Sequence, residues 1–183
     1  MICLFDCFGT VFNMSQIPKE DLRYYGSILK KPVWEPLNFP DHWKTIPPHP
    51  DSKEGLEKLR AEGHKVVALS NAPSDLMREL SDNARIVWDH IIPLEEYKIY
   101  KPNKLAYLTA CAELDVAPSQ CTMITANKDF GDLEGAAYVR MDTILIRHWP
   151  GTDILWLTSD KFKRLAAWAG DCQLIGLLQK EGE

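Results

Sequence analysis

Residues 1–12 read MICLFDCFGTVF and change character within a few positions. The run Ile2–Phe5 is wholly apolar, Asp6 follows as a single carboxylate, and Gly9-Thr10 supplies a turn of small residues. A continuous apolar run is typical of a strand buried on both faces of a parallel sheet, whereas alternation would indicate one exposed face. The segment therefore predicts a buried strand that ends in an acid.

Other apolar runs predict four more strands: Lys65–Leu69, Ile86–Ile92, Cys121–Thr125 and Thr143–Ile146. The second of these is the weakest, because Asp89 and His90 interrupt it. Helical patterns lie between and after the strands, at 52–63, 73–80, 102–114, 132–139, 159–170 and 172–180. Asp51 is the expected N-cap of the first helix and Gly63 ends it. The alternation predicts an α/β fold, a Rossmann-like parallel sheet with helices on both faces.

The stretch 13–50 departs from this pattern. It holds seven prolines together with Trp34 and Trp43, and only 18–31 has a helical pattern. We interpret it as a small Pro-rich cap inserted after the first strand, which leaves 1–12 and 51–183 as the core domain. The cap's aromatic residues could line a site or form a small core of their own.

Composition limits the classes of partner. The 183 residues, 45% of them apolar, are enough for one domain with a proper core, and the net charge of −5 argues against nucleic acid. The five cysteines form no C-x-x-C pair and mostly lie in apolar runs, which favours reduced thiols and a cytoplasmic location. The chain shows neither a signal peptide nor a membrane-spanning run, so we expect no membrane partner. Oligomeric state is left open.

Polar residues follow four of the predicted strands or the segments after them. In an open parallel sheet, ligands bind beyond the carboxyl ends of the strands. The residues delivered there are Asp6; Ser70 and Asn71; Lys98 and Lys101; and Thr125, Asn127, Asp129 and Asp132. Each alone fits a turn, a helix cap or a solvated surface. Their joint occurrence at successive strand ends indicates an active site.

Four segments together resemble the haloacid dehalogenase superfamily. "FDCFGTVF" is similar to its nucleophile loop, "VVALSN" to its second motif, "YKPNKLAY" to its lysine motif, and "MITANKDFGDLEGAAYVRMDTILI" to its acidic fourth motif. The resemblance implies a hydrolase that acts on a small-molecule substrate through a covalent aspartyl intermediate.

The resemblance also implies roles for individual residues. Asp6 would be the nucleophile, and Lys101 would balance its charge, with Lys98 as the fallback. Thr10 and Ser70, with backbone N–H groups, would bind substrate oxygens and hold the carboxylate. The other implied substrate-binding residues are Asn71, Phe8, Tyr107, Thr125 and Asn127.

Phe8 occupies the place where phosphatases of the superfamily carry a second aspartate as general acid and base. An aromatic ring cannot move a proton, and the dehalogenase branch has an aromatic residue there, because a departing halide needs no proton. Tyr107, six residues after Lys101, also resembles that branch, although it would equally fit ordinary packing on an amphipathic helix. Cys7 is expected to point away from the substrate, since side chains alternate along an extended strand.

Two features resemble the phosphatases instead. Asp132 follows Asn127 by five residues, which is the phosphatase length, and Mg²⁺ could bind through Asp6, the Phe8 carbonyl oxygen and Asp132. The cap is also shorter than a dehalogenase cap, with Arg23 as its only arginine for a substrate carboxylate.

Three hypotheses therefore stand. The first is a dehalogenase-like hydrolase of a small organic acid, with a 2-haloacid as one candidate. The second is a Mg²⁺-dependent phosphatase or phosphotransferase without the usual general acid. The third is a catalytically decayed binding module.

Overall fold

The computed structural model describes residues 1–127 and 129–146, together with the backbone of two short strands further on. Its main feature is a sheet of five parallel strands in the order β3-β2-β1-β4-β5. The strands are β1 (Ile2–Phe5), β2 (Lys65–Ala68), β3 (His90–Ile91), β4 (Cys121–Thr125) and β5 (Asp142–Leu145). The fold class predicted from the sequence is confirmed.

The register places the ends of three strands at one edge of the sheet. Phe5, the last residue of β1, pairs with Ala68 of β2 on one side and with Ile124 of β4 on the other. The side chains of β1 alternate between two cores, so that Cys3 and Leu4 belong to opposite faces. Because β1 is central and covered on both faces, the residue that follows it emerges in the middle of the carboxyl edge.

The described residues include five α-helices: α1 (Lys19–Leu29), α2 (Ser52–Ala61), α3 (Ser74–Ala84), α4 (Lys104–Glu113) and α5 (Asp132–Tyr138). Residues of α2 and α3 contribute to one core, and residues of α4 and α5 to the other. Asp51 occupies the N-cap position of α2 as predicted, although its side chain makes no capping hydrogen bond. Gly63 has φ of +84°, the left-handed conformation expected of a residue that ends a helix.

The third strand is shorter than predicted. Only His90–Ile91 pairs with β2, whereas the apolar run extended over 86–92. Asp89, which interrupts that run, accepts a hydrogen bond from Val66 N through its side chain at 2.8 Å and donates its own N–H to Val66 O at 2.9 Å. Asp89 is therefore hydrogen-bonded to β2 just before the residues at which β2 and β3 pair.

Two short strands lie beyond residue 146 among the described residues. Trp156–Leu157 (β6) and Leu165–Ala166 (β7) pair as antiparallel strands. The helix predicted over 159–170 is therefore wrong at Leu165 and Ala166. Their backbone partners lie on another segment, which local periodicity cannot reveal. The rest of that predicted helix and the one at 172–180 lie outside the described residues. None of the helices in the described part is long and apolar enough to cross a membrane.

The insertion shares the core to which α2 and α3 contribute, through Tyr25, Ile28, Leu37, Trp43 and Ile46. It consists of α1 and two short 3₁₀ turns, Met14–Gln16 and Asp41–Thr45, joined by extended segments. Four aromatic residues, Phe8, Tyr25, Phe39 and Trp43, make up what we term the aromatic cluster, with ring centroids of contacting pairs 4.5 to 5.9 Å apart. Trp43 is buried, and its Nε1–H donates to Asp21 at 3.0 Å.

Candidate active site

Asp6 directly follows β1, and both of its carboxylate oxygens accept hydrogen bonds. Lys101 Nζ donates to Oδ1 at 2.7 Å. Thr10 Oγ1 and Asn127 Nδ2 donate to Oδ2 at 2.9 and 2.6 Å, and Thr125 Oγ1 lies 3.4 Å from the same oxygen. Asp6 is only 7% exposed, and its carboxylate cannot rotate without losing these partners.

The turn after Asp6 has a special backbone. Gly9 has φ of +81°, and a Cβ there would meet Asn127 Oδ1 at 3.1 Å, so a side chain at this position would be both strained and crowded. The Thr10 hydroxyl also accepts a hydrogen bond from Ala126 N at 2.8 Å. Thr10 thereby fastens the loop to the end of β4.

Lys101 is buried between two carboxylates. Its Nζ donates to Asp132 at 2.9 Å as well as to Asp6, and the residue is 4% exposed. Burial pulls the pKa of Lys101 down, but Asp132 and Asp6 together outweigh it and raise the pKa above its ordinary value. The ammonium is therefore charged at neutral pH. Asp6, Lys101, Asp132, Thr10 and Asn127 are termed the charged cluster below.

Asn71 and Ser70 do not contact Asp6. Asn71 Oδ1 accepts from Lys101 N at 2.7 Å and its Nδ2 donates to Lys101 O at 3.1 Å, so its amide holds the lysine's backbone. Ser70 Oγ accepts from Ala72 N at 3.1 Å, which is a local turn contact. Of the remaining candidates, Lys98 and Asp129 are both exposed.

Tyr107 is fully buried on α4, on the same side of the sheet as α5. Burial first, and then the carboxylate of Asp132, raises the pKa of its hydroxyl, so the phenol stays protonated. Gly135 leaves the space that the Tyr107 ring occupies, because a Cβ atom at residue 135 would lie 2.6 Å from both Pro102 O and the Tyr107 ring. The sequence analysis did not single out Gly135, although a glycine inside a helical pattern is a recognised sign of close packing.

Phe8 faces the insertion. Its ring packs edge-on against Trp43 at 5.1 Å and against Phe39 at 5.9 Å, and its carbonyl oxygen accepts from Asn127 Nδ2 at 2.9 Å. Cys7 is fully buried, and burial followed by the charge of Asp6 raises the pKa of its thiol. A protonated, buried thiol is not a nucleophile.

The arrangement does not fit Mg²⁺. The proposed ligands were Asp6, the Phe8 carbonyl oxygen and Asp132, yet the Asn127 amide donates to the first two and Lys101 donates to both carboxylates. An N–H donor and an ammonium thus lie where a cation would need oxygen ligands. Within 1–127 and 129–146, His, Cys, Asp and Glu side chains form no group of three suited to a metal ion.

Arg23, the only arginine in the insertion, points away from this region. Its guanidinium pairs with Glu20 at 3.5 Å and its Nε donates to Lys19 O at 3.3 Å on the same helix. The side chain is 75% exposed, so the structure does not bring it to Asp6.

A buried carboxylate at the end of the central strand, paired with a lysine from a later loop, defines a Rossmann-like hydrolase. The chain belongs to the haloacid dehalogenase-like hydrolase family, whose model matches residues 38–137. The superfamily predicted from the sequence is thereby confirmed; the match covers the second motif, the lysine motif and most of the fourth, whereas the first motif lies outside it.

Curated relatives point to one branch of the family. The chain is 31% identical over 106 residues to (S)-2-haloacid dehalogenase 4A of Burkholderia cepacia, covering 57% of this chain and 45% of that protein. It is 32% identical over 108 residues to (S)-2-haloacid dehalogenase 1 of Pseudomonas sp. (strain CBS-3), covering 58% and 47%. The chain thus spans about half the length of the curated relatives it matches.

Solved structures share the fold. The L-2-haloacid dehalogenase of Xanthobacter autotrophicus with covalently bound chloropropionic acid superposes with a TM-score of 0.63 and 18% identity, over 78% of this chain and 75% of that one. CbbY of Rhodobacter sphaeroides in complex with xylulose-(1,5)-bisphosphate gives 0.60 and 15%, over 81% and 86%. At these identities the likeness concerns the fold alone.

Proposed function

We propose that the chain is a hydrolase in which Asp6 displaces halide from a small 2-haloacid. The observation that carries the proposal is the charged cluster, in which a buried carboxylate is held by Lys101, Thr10 and Asn127 while Phe8 provides no proton donor beside it. The 2-haloacid class follows from the names of the curated relatives.

The hydrogen bonds select the attacking atom. Asp6 Oδ2 accepts from Thr10 and Asn127, whereas Oδ1 accepts only from Lys101 among the described residues, which leaves it a lone pair. Oδ1 attacks carbon 2 of the substrate, the carbon–halogen bond breaks, and the halide leaves with the electron pair. The product is an aspartyl ester, and no proton is needed in this step.

Hydrolysis of the ester requires a water and a base. Water adds to Cγ of Asp6 and gives up one proton to a base. The Cγ–Oδ1 bond then breaks, that proton passes from the base to the departing Oδ1, and the 2-hydroxyacid leaves. The water's second proton, on the regenerated Asp6 carboxyl group, goes to solvent. We assign the base to Asp132, because burial raises the pKa of its carboxyl group, with Lys101 opposing. Lys101 bridges the two carboxylates, so it remains paired with Asp132 when Asp6 is esterified.

The proposed reaction needs no metal. The Asn127 amide and the Lys101 ammonium already satisfy the oxygens that Mg²⁺ would require. We further propose a cytoplasmic location without nucleic-acid or membrane partners. The buried thiols of Cys3, Cys7, Cys111 and Cys121, none of which forms a disulfide, support that location.

The test measures halide and phosphate release in parallel. The purified chain is given 2-chloropropionate or an aryl phosphate, each with EDTA or with added Mg²⁺, and Asp6→Asn serves as the control. We expect halide release that EDTA does not alter and that the control lacks. Phosphate release that requires Mg²⁺, without halide release, would favour the phosphatase hypothesis instead. Failure to turn over either substrate would favour the binding module.

A further inference from the structure

Tyr100 connects the insertion to the loop that carries the lysine. Its hydroxyl donates to the carbonyl oxygen of Glu35 at 2.7 Å and accepts from the N–H of Leu37 at 3.1 Å. Its ring stacks on Trp34 with centroids 5.9 Å apart. One side chain thus contacts three residues of the insertion, while its own backbone directly precedes Lys101.

The lysine's backbone is held from the opposite direction. Asn71, which follows β2, exchanges two hydrogen bonds with the N–H and C=O of Lys101. Asn103 N donates to Tyr100 O at 3.0 Å, which closes the turn between Tyr100 and α4. Lys101 therefore lies at a junction between the insertion, the sheet and α4, and Tyr100 supplies the contact with the insertion.

The Tyr100 hydroxyl satisfies one backbone donor and one backbone acceptor of the insertion. Leu37 is a buried member of the core that includes Trp43 and Tyr25. A buried N–H without a partner is costly, so the insertion would have to rearrange locally if the hydroxyl were removed. Because Lys101 is the next residue, such a rearrangement would reach the ammonium that pairs with Asp6.

We propose that Tyr100 is a positioning residue that latches the insertion onto the lysine loop and so holds Lys101 against Asp6. Among the described residues, the Tyr100 hydroxyl is hydrogen-bonded to Glu35 and Leu37 and not to Asp6, so Tyr100 acts through Lys101. The kinetic part of this inference rests on the proposed function, whereas the structural part, the latch itself, does not.

The test compares Tyr100→Phe with Tyr97→Phe. Both changes remove one tyrosine hydroxyl, but that of Tyr97 contacts Glu113 at an exposed position outside the charged cluster. Residue-resolved hydrogen exchange reports on the latch, and halide-release kinetics per folded molecule report on positioning. In Tyr100→Phe we expect exchange at Leu37 and Lys101 to rise about tenfold, the equivalent of one hydrogen bond. We expect kcat to fall by a similar factor, with neither change in Tyr97→Phe.

Unchanged exchange at Leu37 and Lys101 in Tyr100→Phe would overturn the latch, whatever the activity. Raised exchange with an unchanged kcat would overturn the positioning role, since a merely structural contact lowers the folded fraction but not turnover per folded molecule. A wild type that releases no halide would contradict the proposed function, and exchange alone would then decide the latch. If Tyr100→Phe does not fold, hydrogen exchange in the wild type tests the latch instead. The latch requires that the amide groups of Leu37 and Lys101 exchange with equal free energies of opening.

Discussion

Two neighbouring regions meet at the turn after β1 and are built in opposite ways. The charged cluster holds Asp6 with an ammonium, a hydroxyl and an amide at 2.6 to 2.9 Å. The aromatic cluster holds Phe8, two residues later, with rings at 5.1 and 5.9 Å. The first depends on each partner being present with correct geometry, whereas the second depends on volume and shape.

The difference predicts how each region tolerates change. Removing one partner from a buried ionic group leaves an uncompensated charge, which is strongly destabilising. Removing part of a ring leaves a gap that neighbouring side chains can partly close. Chemistry in this protein should therefore be sensitive to the charged cluster, and stability should be shared by both.

The largest effect is expected from Asp6→Asn. An amide cannot form the aspartyl ester, so halide release should fall by at least roughly 10⁴-fold, the scale seen when a nucleophile is removed. The measurement is initial halide release by protein whose folding is checked by circular dichroism. Thr10→Ser, which keeps the hydroxyl that binds Asp6, is the matched control and should retain most activity. Substantial halide release by folded Asp6→Asn would refute the covalent role.

Lys101→Met should be the most destabilising change in the charged cluster. It leaves the carboxylates of Asp6 and Asp132 buried without their cation, at a cost of about 3–5 kcal/mol in the free energy of unfolding. Adding Asp132→Asn removes one of the two charges and should restore part of that loss. Urea unfolding of the two variants measures both quantities. A double variant no more stable than the single one would contradict the charge explanation.

Phe8 allows the two regions to be compared at a single position. Phe8→Leu keeps an apolar side chain against Trp43 and Phe39, whereas Phe8→Asp puts a carboxylate there. We expect the aspartate variant to be less stable than the leucine variant by about 1–3 kcal/mol, the cost of a poorly satisfied polar group. Paired urea unfolding curves test this. Equal free energies of unfolding for the two variants would mean that the side chain at position 8 is more hydrated than its ring contacts indicate.

The smallest expected effect is that of alkaline pH on the lysine pair. A folded-state pKa raised above the ordinary 10.5 gives stability that is fully present below 10.5 and is lost only as pH rises through the folded value. The difference in unfolding free energy between wild type and Lys101→Met/Asp132→Asn should therefore be constant from pH 7 to about 10. A difference that shrinks steadily over this range would place the lysine pKa too low for the ion pair described.

Much of the fold was predictable because its signals are local. The runs at Ile2–Phe5 and Cys121–Thr125 match β1 and β4 at both ends, since buried parallel strands need only continuous apolar sequence. The errors concern pairing. The strand predicted at 86–92 pairs only at His90–Ile91, and Leu165–Ala166 pairs with Trp156–Leu157 where a helix was predicted. Pairing depends on the partner strand, which a single segment does not contain.

The contacts of the candidate site were likewise predicted only in part. Asp6 and Thr10 lie in one short motif, and the resemblance to the superfamily implied that they would meet, as they do. Ser70 and Asn71 were grouped with them because they follow the next strand, but Ser70 bonds its own turn and Asn71 bonds the backbone of Lys101. Strand order brings side chains to the same edge of a sheet, yet a hydrogen bond also requires a position correct to within a fraction of an ångström.

The amino-acid sequence by itself determined the parallel sheet and the acid at the end of its first strand, because these follow from residue type and spacing over a few positions. That Phe8 replaces a proton donor followed from the resemblance to the superfamily. Only the tertiary structure decided which distant groups hold that acid. Lys101 reaches Asp6 from 95 residues away and Asn127 from 121. It also turned Arg23 outward and paired Tyr100 with the insertion. Contacts at such separations depend on how helices and loops pack around the sheet, because packing sets the distances that hydrogen bonds and ion pairs require.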